Sequence, residues 1–110
     1  MRAALHPRLR RPRAELGGER VFCNPPYGRA MGAWVRKCHE ESHHAFIVLL
    51  MPARTDTRYF HDFIYKQPRV RIEFLRGRLR FEKEGNAMGP APFPSMLVFF
   101  NEERLREETM

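Results

Sequence analysis

Ala45-Phe46-Ile47-Val48-Leu49-Leu50-Met51, closed by Pro52, is the stretch on which the fold turns. A continuous, partly β-branched apolar run of this length, stopped by proline, predicts a parallel strand covered on both faces; a one-sided strand would alternate. We take it as the central strand. Upstream, Val21-Phe22-Cys23 is a shorter apolar run halted at Asn24 by two prolines, and Gly28 closes the resulting tight loop. Between the two runs, Met31, Trp34, Val35 and Cys38 fall at i, i+3, i+4 and i+7, one stripe of an amphipathic helix, with Arg36, Lys37, Glu40 and Glu41 off it.

Downstream, Asp56 or Thr57 can cap a second helix whose Tyr59, Phe60, Phe63 and Ile64 share a face, with Pro68 just beyond its end. Val70, Ile72 and Phe74 alternate with Arg71 and Glu73. Leu79 and Phe81 alternate with Arg78 and Arg80, so two one-sided strands are expected around the break at Gly77. Gly85 to Pro94, with two Gly and three Pro, reads as a loop, and Met96 to Phe100 as a last apolar strand. The order predicts an α/β layered sheet, parallel at first and antiparallel later, over residues 20–101. An irregular basic arm (1–19) precedes it and a charged tail (102–110) follows.

Composition narrows the classes of function. At 110 residues the chain is one domain or a piece of one. No apolar run approaches the roughly 20 residues of a membrane-spanning helix, so no membrane association is expected. Two cysteines, Cys23 and Cys38, cannot build a disulfide framework; free thiols in a reducing cytoplasm are expected. The net charge is +7, and 17 of the 20 cations are Arg, a balance that suits a polyanionic partner. Residues 1–20 and 66–84 each contribute +4, so two basic blocks flank a nearly neutral centre.

The sharpest chemical feature is Asn24-Pro25-Pro26-Tyr27, placed directly after a buried strand. Loops at the carboxyl ends of parallel strands are where open α/β sheets bind ligands. Two prolines stiffen the backbone and remove two N–H donors, leaving carbonyl oxygens on offer. An Asn amide oxygen beside a proline-fixed carbonyl can accept both hydrogens of an exocyclic amino group, while an adjacent aromatic ring stacks on the base that carries it. An amino nitrogen conjugated into adenine is a poor nucleophile because its lone pair is delocalised. Holding its hydrogens toward acceptors favours the pyramidal form and exposes that lone pair to a methyl donor, with alignment supplying most of the remaining acceleration.

Four blocks in order and spacing resemble the phage-type DNA N6-adenine methyltransferase (Dam) family: residues 21–28, Leu50 to Thr57, Phe74 to Phe81 and Ala91 to Val98. The resemblance spans about residues 20–101. It implies a Rossmann-like fold, S-adenosylmethionine as cofactor, double-stranded DNA as substrate, a bacterial or phage-infected host, and methyl transfer to N6 of a flipped adenine. Residue by residue, it implies that Asn24 and the Pro25 carbonyl hold the amino group, that Pro26 shapes the turn, and that Tyr27 stacks on the base. The resemblance leaves the cofactor-binding residues unassigned, with Asn24 and Tyr27 as the candidates. Such enzymes carry a cofactor-binding segment before this motif, and the 20 residues here hold no recognisable strand and turn of that kind, which implies an N-terminally shortened member. Related motifs serve enzymes that methylate guanine N2 in ribosomal RNA or the amide of protein glutamine. A non-catalytic basic module that binds nucleic acid, and an inactive remnant, stand as readings of other classes.

Arg54 and Arg58 flank the second carboxyl-end loop and can contact phosphate, although Asp56 and Thr57 are also explained by capping alone. Arg76, Arg78 and Arg80 occupy alternate positions; on a strand they would form one stripe able to track a nucleic-acid backbone, or simply a solvated face. His39 and His43 are four apart, but no CxxC or HExxH frame surrounds them, so no metal is expected.

Overall fold

The computed structural model describes residues 19–83, 86–90 and 92–103. Its elements run β1 (Glu19–Cys23), α1 (Met31–Glu41), β2 (Ala45–Pro52), α2 (Arg58–Phe63), β3 (Val70–Phe74), β4 (Arg80–Lys83), β5 (Asn86–Pro90) and β6 (Ser95–Phe100). Four strands form one sheet in the order β1-β2-β6-β3, and β4 and β5 form a separate pair. β1 lies parallel to β2, with α1 as the crossover between them, and β6 runs antiparallel to both β2 and β3. The fold is α/β with a mixed sheet, parallel first and antiparallel later, and the apolar run from Ala45 does lie inside it.

The register sorts the sheet into two faces, because side chains alternate along each strand. Val21, Cys23, Ala45, Ile47, Leu49, Met51, Met96, Val98 and Phe100 share one face and are all buried, together with Met31, Val35 and Cys38 of α1, Phe60 of α2 and Ile64 at its C-cap. This is the core. Gly32 lets α1 approach α2 closely, since a Cβ there would stand 3.3 Å from the Tyr59 ring. The helices are ended as their sequences suggest. Thr57 caps α2 by accepting from the Phe60 N–H, at 3.3 Å, while α1 starts at Ala30 without a side-chain cap.

Several expectations need correction. Both helices contribute to the core on one face only. The opposite face carries Phe22, 55% exposed, and the half-buried pair Phe46 and Phe99, stacked at 6.4 Å. The central run is unbroken because its exposed-side positions still sit between two neighbouring strands. Pro52 is the last residue of β2, as expected, though it is still in register with Ser95, and the next residue, Ala53, donates to Pro94 O at 2.9 Å. Glu41, placed off the α1 stripe, is buried near the helix end, with Lys37 Nζ 3.8 Å from its Oε2. Phe74 breaks the alternation of β3 and is 62% exposed, being the last residue of a strand at the sheet's edge. The glycine- and proline-rich segment 85–94 is not loop throughout. Asn86–Pro90 forms β5, paired with β4 from Lys83↔Asn86 to Arg80↔Pro90, and only one partner strand flanks this proline, so its missing N–H is tolerated. The basic arm lies outside the described residues except for Glu19, which already belongs to β1.

Candidate functional site

Strand direction brings the chemically interesting residues together. β1, β2 and β3 all end where β6 begins, as Pro52↔Ser95 and Phe74↔Met96 require. The segments that follow them therefore crowd one end of the sheet: the Asn24 loop, the Ala53–Thr57 loop, and the excursion that leaves after Phe74 and returns at Ser95. Two backbone bonds tie them, Ala53 N–H to Pro94 O at 2.9 Å and Leu75 N–H to Ser95 O at 3.0 Å. Lateral spacing is about 4.8 Å per strand, so this end spans on the order of 14 Å from β1 to β3.

Asn24 leaves the sheet immediately after Cys23, which is level with Leu49. Its residue exposure is 9%, and the amide oxygen Oδ1 is withdrawn from solvent. Pro25 is fully buried, Pro26 is exposed, and Tyr27 is half-buried. The prolines explain the arrangement: the first pins the chain against the core and neither offers an N–H that would have to be satisfied there. An amide oxygen in such a low-dielectric setting is a stronger acceptor than the same group in water. Burial raises the Tyr27 phenol above its ordinary pKa, and the neighbouring Ser95 hydroxyl pulls it part of the way back. The Tyr27 ring lies 5.2 Å from that of Phe93, tilted at 51°, and the Arg54 guanidinium carbon sits 5.3 Å above the Phe93 ring. Three loops thus contribute to one aromatic and cationic cluster.

Sequence reasoning gives Phe93 and Ser95 no role. They fall in the block Ala91 to Val98 that carries part of the family resemblance, and that block is the available signal. Arg54 lies at the site but packs on Phe93, while Arg58 is exposed at the start of α2. Arg76, Arg78 and Arg80 are all exposed, yet they do not form a strand stripe. β4 begins only at Arg80, and Gly77, at φ +79°, turns the chain between Arg76 and Arg78. A left-handed turn of this kind suits glycine. The strand rule therefore does not decide which way these two side chains face.

Cys23 and Cys38 are buried free thiols, as expected from their number. Hydrogen bonding to Cys23, then burial, holds the Cys38 thiol well above the usual range, so it is a packing residue rather than a nucleophile. His39 and His43 lie at the other end of the sheet, with ring centroids 6.1 Å apart, and His39 rests against Phe63.

The described helices are all too short to cross a membrane. No curated protein and no solved structure matches the chain. Residues 13–110 match the family described as DNA N-6-adenine-methyltransferase. That match takes in all four sequence blocks and every loop at the carboxyl end of the sheet, and on it the chain belongs to the DNA N-6-adenine-methyltransferase (Dam) family.

Proposed function

We propose that the chain acts on double-stranded DNA as an adenine N6-methyltransferase, with Asn24 to Tyr27 as the seat of the target amino group on a partial Rossmann-like sheet. The observation that carries this reading is the placement of a proline-stiffened acceptor loop, with Asn24 Oδ1 inside and the Tyr27 ring packed on Phe93, at the carboxyl end of β1 in a chain of this family. Asn24 Oδ1 and the Pro25 carbonyl accept the two amino hydrogens, and Tyr27 stacks on the purine. The adenine must first leave its duplex, because its amino group is otherwise engaged in pairing. Because Oδ1 is screened from solvent, base entry also requires whatever covers Asn24 to open.

The loop suits a planar base bearing an amino group. It does not by itself form a seat for the nucleoside of S-adenosylmethionine, since it is built from prolines and an aromatic ring where a nucleoside needs an open turn and polar partners for its ribose. S-adenosylmethionine, when bound, supplies an electrophilic methyl group. The residues of this chain hold the amino hydrogens, orient the base and exclude water from Asn24.

The exposed arginines at the same end favour a second reading, a non-catalytic module that binds DNA through phosphate. One experiment separates the two. Full-length chain is incubated with tritium-labelled S-adenosylmethionine and unmethylated duplex DNA, and methylated nucleosides are identified after digestion. Label in N6-methyladenine that disappears in Asn24→Ala is the expected result. Salt-sensitive DNA binding with no transfer, unchanged in Asn24→Ala, overturns the enzyme reading in favour of the module.

A further inference from the structure

Ser95 is the buried polar residue of the carboxyl end that neither the core nor the amino-group seat uses. It opens β6, in register with Pro52, and is 1% exposed. Its main chain is pinned from both sides, since Ala53 N–H donates to Pro94 O at 2.9 Å and Leu75 N–H to Ser95 O at 3.0 Å. Its side chain is not. Oγ is withdrawn from solvent and no described residue gives it a well-formed hydrogen bond, although it adjoins the Tyr27 phenol. A buried hydroxyl in that condition is costly, alanine would carry no such cost, and in a native protein the group calls for a functional reason.

The need it meets is that of Tyr27. On the reading of Asn24 to Tyr27 as the base site, on which this inference rests, the Tyr27 ring must present one plane to the purine. A tyrosine swings about χ1 and turns about χ2, whose wells are broad, so contact on one side of the ring does not fix that plane. Phe93 supplies such a contact, 5.2 Å between centroids and tilted at 51°. Ser95 stands two residues further on, along main chain anchored to the neighbouring loops, so the face and the tip of the ring are held from one rigid segment. Its effect on the phenol, which it draws toward ionisation, is that of a hydroxyl donating to the phenol oxygen. Hydrogen bonds of this kind are often long or poorly aligned until substrate closes on them.

We infer that Ser95 is a positioning residue: its hydroxyl donates to Tyr27 Oη as the base enters and, with Phe93 on the ring's face, sets the plane on which the purine stacks. It acts only through the Tyr27 hydroxyl, so removing either hydroxyl removes the same interaction.

The test is a double-mutant cycle in the full chain, each variant checked for folding by circular dichroism. Methyl transfer to unmethylated duplex DNA is one readout, and tyrosine ionisation followed by ultraviolet absorbance is the other. Ser95→Ala and Tyr27→Phe are each expected to lower kcat roughly tenfold with the KM for DNA unchanged, and the double variant to fall no further. Ser95→Cys, close in size and a weaker donor, should fall between wild type and Ser95→Ala. Of the three tyrosine ionisations, the one that Tyr27→Phe removes should move to higher pH in Ser95→Ala. Losses that multiply in the double variant, or a Tyr27 ionisation that fails to rise in Ser95→Ala, overturn the role of Ser95 and leave the base site in place. A wild type that transfers no methyl, although its Tyr27 ionisation responds to Ser95→Ala, overturns the base-site reading and the positioning role with it.

Discussion

At the end of the sheet where β3 starts, Arg71 is gripped by Glu102 through Nε to Oε1 at 2.8 Å and Nη2 to Oε2 at 2.9 Å, and by Glu73 at 3.1 Å, while its guanidinium lies 3.9 Å over Phe99. These carboxylates hold Arg71 even more firmly in its charged form. Arg69 stands 4.0 Å from Glu103. At the opposite end, Arg76, Arg78 and Arg80 have no described carboxylate partner, Arg58 is exposed, and Arg54 rests on an aromatic ring. A guanidinium already bridged to two carboxylates must give up those bonds before it can meet a phosphate. One that is merely solvated need not, and the counterions it displaces from DNA favour the contact. The same residue type therefore serves cohesion at one end and leaves charge available at the other.

The comparison predicts that stability and function separate along the sheet. Phe100 is fully buried at the closed end, its ring nearly perpendicular to that of His39 at 6.5 Å between centroids. Phe100→Ala should cost on the order of 3–5 kcal/mol in urea denaturation, more than any other single substitution proposed for this chain. A much smaller loss would mean that the core can collapse around the gap. At the open end, Asn24→Ala should lower methyl transfer on the order of 100-fold, by analogy with removal of one polar partner from a reacting group, while shifting the urea midpoint less than Phe100→Ala does. If the midpoint falls as far as for Phe100→Ala, Asn24 is primarily a structural residue and the comparison breaks.

A third substitution tests charge alone. Changing Arg76, Arg78 and Arg80 together to Gln should reduce the slope of log affinity against log salt by about 2 to 3, one near-unit step for each phosphate left without its guanidinium, with the melting temperature unchanged. Arg71→Gln should do the reverse, lowering the melting temperature and leaving the salt slope alone. Exchange of these outcomes would show that the three exposed arginines are ordinary solvated surface.

Much of this layout is legible in the sequence. The apolar run from Ala45, the α1 stripe and the proline stop after Cys23 are strong local signals, and parallel pairing of the first two strands follows from the helix between them. The carboxyl-end position of Asn24 follows in turn. What cannot be read depends on neighbours distant in sequence. β5 is rich in Gly and Pro, and its strand character comes from pairing with β4 rather than from its own residues. The alternation of Arg76 and Arg78 suggests a strand that the turn at Gly77 interrupts. Phe93 becomes part of the site only because β6 enters the sheet beside β2, which places the loop before it next to Tyr27. The pairing of Arg71 with Glu102, 31 positions apart, is likewise a tertiary event.

The smallest effect sharpens the closed end. His39 packs on Phe63, 5.2 Å between ring centroids, and lines a cavity of about 380 Å³ with Ser42, His43, Pro68, Arg69, Val70 and Asn101. Burial lowers its pKa below 6.5, the charge of His43 lowers it further, and Glu40 pulls it partly back. The folded state therefore resists a proton that the unfolded chain accepts. Its contribution is fully present above the unfolded value of about 6.5 and is lost as the pH falls through the depressed folded value. His43 faces the same cavity, as does Arg69, whose charge is offset by Glu103 at 4.0 Å. Urea midpoints measured from pH 7.5 to 5.5 should decline for the wild type and decline less for His39→Gln, with the two curves converging toward acid. Parallel curves would show that His39 titrates as a free imidazole, and that the closed end owes its cohesion to the Arg71 cluster and the Phe100 core without help from the imidazole between them.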